Sequence, residues 1–130
     1  MWKRTLRIGG LVVPPPLAEL VRSGRWVAPR DDRVLTEVFG EEPEQPEFYG
    51  KAMLVRQNAS WQALRADEVA GIDTARTVVI GDLGPDMPFV LDYRTSPDDP
   101  RVLYLGGPGD VRWRQVAANA AELIDRLYRR

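Results

Sequence analysis

Thr77-Val78-Val79-Ile80-Gly81-Asp82-Leu83-Gly84-Pro85-Asp86-Met87-Pro88-Phe89-Val90-Leu91-Asp92-Tyr93 governs the architecture of this chain. Two β-branched and aromatic runs, 77–80 and 88–93, flank Leu83-Gly84-Pro85-Asp86, which is turn chemistry, so the stretch predicts a β-hairpin. A two-residue loop would set Ile80 opposite Phe89, and a four-residue loop would set it opposite Leu91. The two registers differ by an even step. Either one therefore keeps Val78, Ile80, Phe89, Leu91 and Tyr93 on a single face, the expected core side of the sheet.

Toward the C-terminus, a third strand over residues 101–105 follows the Ser96-Pro97-Asp98-Asp99-Pro100 loop, and Gly106-Gly107-Pro108-Gly109 turns into a fourth. In Val111-Arg112-Trp113-Arg114-Gln115-Val116 the arginines alternate with Val111 and Trp113, the pattern of a half-exposed strand. Asn119 then caps a closing helix with Glu122 at its third position and Ala120, Leu123, Ile124 and Leu127 as its apolar stripe.

Toward the N-terminus, Pro14-Pro15-Pro16 opens a short helix with Leu17, Leu20 and Val21 on one side, and Gly24 ends it. Asp31-Asp32 caps a second, with Val34, Leu35, Val38 and Phe39 on one stripe before Gly40. Residues 41–47 hold four Glu and two Pro and read as a loop. Residues 51–64 are ambiguous: Leu54, Trp61 and Leu64 fit a helical stripe, while 52–55 alone fit a strand, and helix is favoured because no Pro or Gly follows Gly50 for thirteen positions. Helices come first, strands next and one helix last, so the expected architecture is α+β: a mainly antiparallel sheet of about four to six strands packed with N-terminal and C-terminal helices. Residues 1–130 make one domain, with 1–12 either disordered or an edge strand.

The chain has 130 residues, 18 basic and 19 acidic side chains, and neither His nor Cys. Its near-neutral balance and pI of about 5.5 argue against a nucleic-acid partner, which requires a surplus of Lys and Arg on one face. Without Cys there are no disulfides, thiolate nucleophiles or Cys-type metal sites; without His the commonest general base is gone. After Lys3, Arg4 and Arg7 come Ile8, two glycines and only Leu11 to Val13, too short an apolar run for a secretory signal. No segment has the ~20 apolar residues of a membrane span. A soluble, cytoplasmic chain is the expectation.

Asp82, Asp86 and Asp92 are the carboxylates that a hairpin would gather, and such groups can share acid and base duty or hold a hard cation. Asp is equally at home beside tight turns, where it accepts backbone N–H bonds. Gly106-Gly107-Pro108-Gly109 lacks the Lys-Ser/Thr and the following helix of a phosphate loop. Ser23, Ser60 and Ser96 have no His to activate them, and the Asn58-Ala59-Ser60 sequon lies in a chain without an export signal. No catalytic, cofactor-binding or metal-ligating set is expected. Trp26, Trp61, Trp113 and Tyr104 suit either a core or an interface. Glu37, Glu41, Glu42, Glu44 and Glu47 fall within eleven residues that contain no Lys or Arg. That window is either a solvated face or a docking surface for a basic partner.

Ile80-Gly81-Asp82-Leu83-Gly84, Leu91-Asp92-Tyr93-Arg94, Val102-Leu103-Tyr104-Leu105 and Trp113-Arg114-Gln115-Val116-Ala117 before a closing helix together resemble the SUKH superfamily, which includes fungal cell-wall-assembly regulators and bacterial immunity proteins. The Val13-Pro14 to Gly24 segment is similar to its early proline-helix-glycine element. Members commonly carry a further helix ahead of the proline, for which there is little room here, and residues 40–70 match no motif. The resemblance implies structural roles for its shared positions: Gly81 and Gly84 in turns, Leu91 and Val102 in a core, Trp113 between sheet and helix. It also implies a scaffold that binds a protein, with a nuclease-type toxin as the cognate partner of an immunity member. The residues expected to meet a basic partner are Glu41, Glu42, Glu44 and Glu47, joined by Asp86, Asp98 and Asp99. The alternatives are an intracellular regulatory scaffold of the same fold and a carboxylate hydrolase using Asp82 and Asp92.

Overall fold

The structure is a computed structural model that describes residues 5–65, 67–107 and 109–128. It is α+β. In chain order come β1 (Arg7–Ile8), β2 (Leu11–Val12), α1 (Pro15–Arg22), α2 (Asp32–Phe39), β3 (Glu47–Phe48), α3 (Lys51–Trp61), a 3-10 turn (Thr74–Arg76), β4 (Thr77–Asp82), β5 (Pro88–Asp92), β6 (Arg101–Gly106), β7 (Arg112–Ala117) and α4 (Ala120–Tyr128). β1 and β2 form a separate two-stranded hairpin, and the main antiparallel sheet has the order β3-β4-β5-β6-β7.

The helix ends follow local chemistry. Pro15 and Pro16 occupy the first turn of α1, and Gly24 closes it at φ +73°. Asp31 Oδ1 accepts from the Arg33 N–H at 3.0 Å to start α2, and Gly40 ends it in the left-handed conformation. Asn119 Oδ1 accepts from Glu122 N–H at 2.8 Å while Glu122 Oε1 reaches back to Ala118 N–H at 3.0 Å, a capping box displaced by one residue.

Pairing across β4, β5 and β6 puts Val78, Leu91 and Val102 on one face with Phe89 and Tyr104. This face carries the main core. Phe39 of α2 lies on Phe89 and Tyr104 with ring centroids 4.8 and 5.2 Å apart, and α4 packs between α1, α2 and the far strands. The second face is covered as well. Val79, Val90 and Leu103 are buried on it, beneath the end of α3 and the segment that follows, where Trp61 and Trp113 meet edge to face at 6.2 Å. α3 also closes an open edge of β4: Asn58 and Gln62 hydrogen-bond the backbone of Val79 and Thr77.

Two expectations are corrected. The β4–β5 hairpin keeps the register of the two-residue loop only through Val79. Val78 faces Leu91 and Val79 faces Val90, but Phe89 then faces Gly81 and Pro88 faces Asp82, leaving Ile80 as the extra residue of a β-bulge. Gly81 permits this because a Cβ there would stand 2.6 Å from Phe89 Cζ and 2.8 Å from Glu47 O. The bulge aims the Ile80 carbonyl at Trp26 Nε1 (3.0 Å) and Tyr49 N–H (3.1 Å). Second, residues 41–47 are not loop throughout, since Glu47 and Phe48 pair with Asp82 and Gly81. Residues 7–12 form edge strands of the separate hairpin, where Gly9 and Gly10, both at positive φ, turn β1 back on β2. Residues 1–4 lie outside the described residues, as does Pro108 of the glycine-rich turn.

Candidate functional site

Antiparallel pairing brings the 83–87 turn and the start of the β6–β7 connection to the same end of the sheet. The acidic 41–47 segment is fastened there. Glu44 N–H and Gln45 N–H donate to Leu83 O at 2.8 and 3.1 Å, and β3 then sets Glu47 opposite Asp82. Glu41, Glu44, Glu47, Asp82 and Asp86 are thus gathered at one end. Glu42 adjoins them and is exposed, as are Glu44, Glu47 and Asp86.

Their duties differ. Glu41 is half-buried, and its Oε1 accepts from the Tyr104 hydroxyl and from Gly107 N–H at 2.9 Å. Burial, reinforced by the Glu41 carboxylate, pushes the Tyr104 hydroxyl well above its ordinary range. Asp82 is bound from both sides, by the Tyr49 hydroxyl at 2.6 Å and by Gly84 N–H at 3.1 Å. Tyr49 is likewise pushed up, first by burial and then by Asp82. Asp86, by contrast, has no hydrogen-bond or ion-pair partner among the described residues. It is also the one non-glycine among them with positive φ, +62°, held in the Gly84-to-Met87 turn by a 3.1 Å backbone bond.

Three adjoining cavities meet at Asp86. The largest, about 650 Å³, lies between Trp61, Val69, Trp113, Pro88 and Leu105. A second of about 270 Å³ extends past Pro88 to Tyr49, Ser60 and Asp82. A third of about 370 Å³ passes over Leu105 and Val111 to Glu41, Glu44 and Gly107. Arg114 reaches this end too, donating to Asp110 O at 3.2 Å.

Asp98 and Asp99 are elsewhere. They belong to the β5–β6 connection, at the opposite end of the sheet, where Asp99 Oδ2 accepts from Asn119 Nδ2 at 3.3 Å. Asp92 is at that far end as well. It faces Thr77, whereas Asp82 faces Pro88, four residues along β5 from Asp92, so the two positions lie roughly 13 Å apart along the strands. That separation exceeds the ~10 Å across which two carboxylates cooperate in glycosidase-type chemistry. Asp92 is fully buried and holds Arg94 and Arg101 at 2.9 Å each. Burial alone would push its carboxyl up, but hydrogen bonds from the Arg94 side chain and N–H and from Arg101 outweigh this and hold it below the ordinary value.

The four aromatic candidates divide cleanly. Trp26 and Tyr104 are core, Trp26 packing on Phe48 at 4.5 Å, whereas Trp61 and Trp113 are half-exposed in the largest cavity. Asn58 of the sequon is buried, its amide spent on Val79 and Leu54. Sequence reasoning missed the cavity and the place of Asp86 in it. The only signal was the half-exposed pattern around Trp113, because the other walls come from distant parts of the chain.

Among the described residues no helix is long and apolar enough to cross a membrane, and no group of three His, Cys, Asp or Glu side chains is placed to hold a metal ion. Comparison with family models, curated proteins and solved structures finds no match.

Proposed function

We propose that this chain is a protein-binding domain, a cytoplasmic immunity factor of SUKH type that neutralises a nuclease-type toxin by docking on its basic substrate groove. The observation that carries this reading is the convergence at one end of the sheet: exposed Glu44, with exposed Glu42 and Glu47 on the same short segment, borders a cavity that meets two others at Asp86, which is unpaired among the described residues. The backbone that carries these glutamates is pre-positioned, since the 41–47 segment is fastened to the 83–87 turn and to β4 by backbone bonds. Such a backbone loses little entropy on binding, and the acidic surface steers a cationic partner toward itself. The resemblance to SUKH motifs supports the family reading, and the clustered acids support a cationic partner. Asp98 and Asp99, at the other end, have no part in this surface.

The test is co-expression with the product of the neighbouring gene. Rescue of growth together with a stoichiometric complex supports immunity. A complex without rescue points to a regulatory scaffold, and no complex with that product overturns the reading.

A further inference from the structure

We propose that the 650 Å³ cavity is a socket for one arginine side chain of the docking partner, in which Asp86 accepts from the guanidinium and Trp61 and Trp113 offer their ring faces to it. This rests on the docking reading and names the contact within it. Both indole N–H groups are already committed, Trp61 Nε1 to Thr77 Oγ1 at 2.8 Å and Trp113 Nε1 to Ala70 O at 3.2 Å. What remains of the two rings is π surface in an edge-to-face corner with 71° between planes, a surface that attracts cations. Pro88, Leu105 and Val69 make the rest of the wall apolar, suited to the methylene stem of a long cationic side chain.

The polar groups point to the same ligand. Asp86 lines the cavity with a free carboxylate, and Glu68, whose Oε2 accepts from Arg65 N–H at 2.6 Å, adds a second carboxylate to the lining. Arg112 also lines the rim, 3.9 Å from the carboxylate of Asp110. A cationic ligand is therefore favoured over an anionic one. Between the two cations, a guanidinium is planar, stacks on indole and pairs with a carboxylate through two parallel bonds; an ammonium does neither.

The experiment uses the whole chain and three short capped peptides that differ only in a central arginine, lysine or citrulline, followed by the Trp61 and Trp113 indole N–H signals in ¹⁵N-resolved spectra at low salt. The arginine peptide is expected to shift both signals and to bind about tenfold more tightly than the lysine peptide, while citrulline shifts neither. Asp86→Asn keeps the turn, since Asn tolerates positive φ, and is expected to weaken arginine binding about tenfold. Equal shifts from arginine and citrulline, unchanged binding by D86N, or no indole shift at millimolar arginine peptide would overturn the socket. Shifts confined to the amides of Glu42, Glu44 and Glu47 would sink the socket and leave acidic docking standing. Failure of rescue by the neighbouring-gene product, with the indole shifts intact, would do the reverse.

Discussion

The side-chain amide of Asn58 pairs with the backbone of Val79 as a neighbouring strand would: Nδ2 donates to Val79 O and Oδ1 accepts from Val79 N–H, each at 2.8 Å. Beyond Phe48, β3 no longer covers β4, and an uncovered edge invites pairing with other chains. A helical side chain closes the gap. Asn58→Leu would leave both Val79 groups buried without partners, and the expected cost is about 2–4 kcal/mol, read as a lower urea midpoint with an unchanged slope.

At the far end of the sheet, Asp92 with Arg94 and Arg101 ties acid stability to one carboxylate. Its folded-state proton affinity is depressed, so the contribution is complete at neutral pH and is lost as pH falls below the ordinary carboxyl range, about 3.9, and on through the lower folded value. Asp92→Asn leaves two arginines facing a neutral amide, and the expected loss at pH 7 is about 2–4 kcal/mol. The gap between wild type and D92N should narrow toward pH 2 in denaturation curves. A gap that stays constant with pH would contradict this.

Gly81 and Gly50 separate steric need from mere presence of glycine. Ala at 81 would drive a methyl into the Phe89 ring and the Glu47 carbonyl, and the expected cost is about 1–3 kcal/mol. Gly50 has ordinary φ of −66° and open space at its Cβ position, so Gly50→Ala should stay within about 0.5 kcal/mol of wild type. Thermal melts of the two variants side by side test the bulge.

Glu41 and Glu44 are neighbours in sequence with opposite expected roles. Glu41→Gln weakens the hold on the Tyr104 hydroxyl and on Gly107 N–H, and should lower stability by about 1–2 kcal/mol. Glu44→Gln, exposed and bonded only through its backbone, should leave the melting temperature unchanged and slow association. Equal effects on stability would show that the two carboxylates are not divided in this way.

What could be read from the sequence was local. Pro15 and Pro16 at the start of α1, Asp31 and Gly40 around α2, and Asn119 with Glu122 before α4 carry their own geometry within a few residues. The α+β class followed from their order. The bulge at Ile80 was hidden because residues 77–80 and 88–93 alternate well in any even register; only the contact of Phe89 with a glycine selects it. β3 was hidden because two residues show no period, and its position depends on a strand thirty residues away. The acidic window was visible as charge, yet the assignment of Glu41 to Tyr104, and the removal of Asp98, Asp99 and Asp92 to the far end, are consequences of sheet topology. The Trp61–Trp113–Asp86 cavity joins three separate elements, which no local pattern records.

The most direct test of the acidic sheet end as a docking surface is the association rate with the neighbouring-gene product, measured by stopped flow across a salt series. The triple variant E42K/E44K/E47K is expected to associate about tenfold or more slowly than wild type at low salt and to converge with it at high salt, where charge steering is screened. Equal rates at low salt would contradict it.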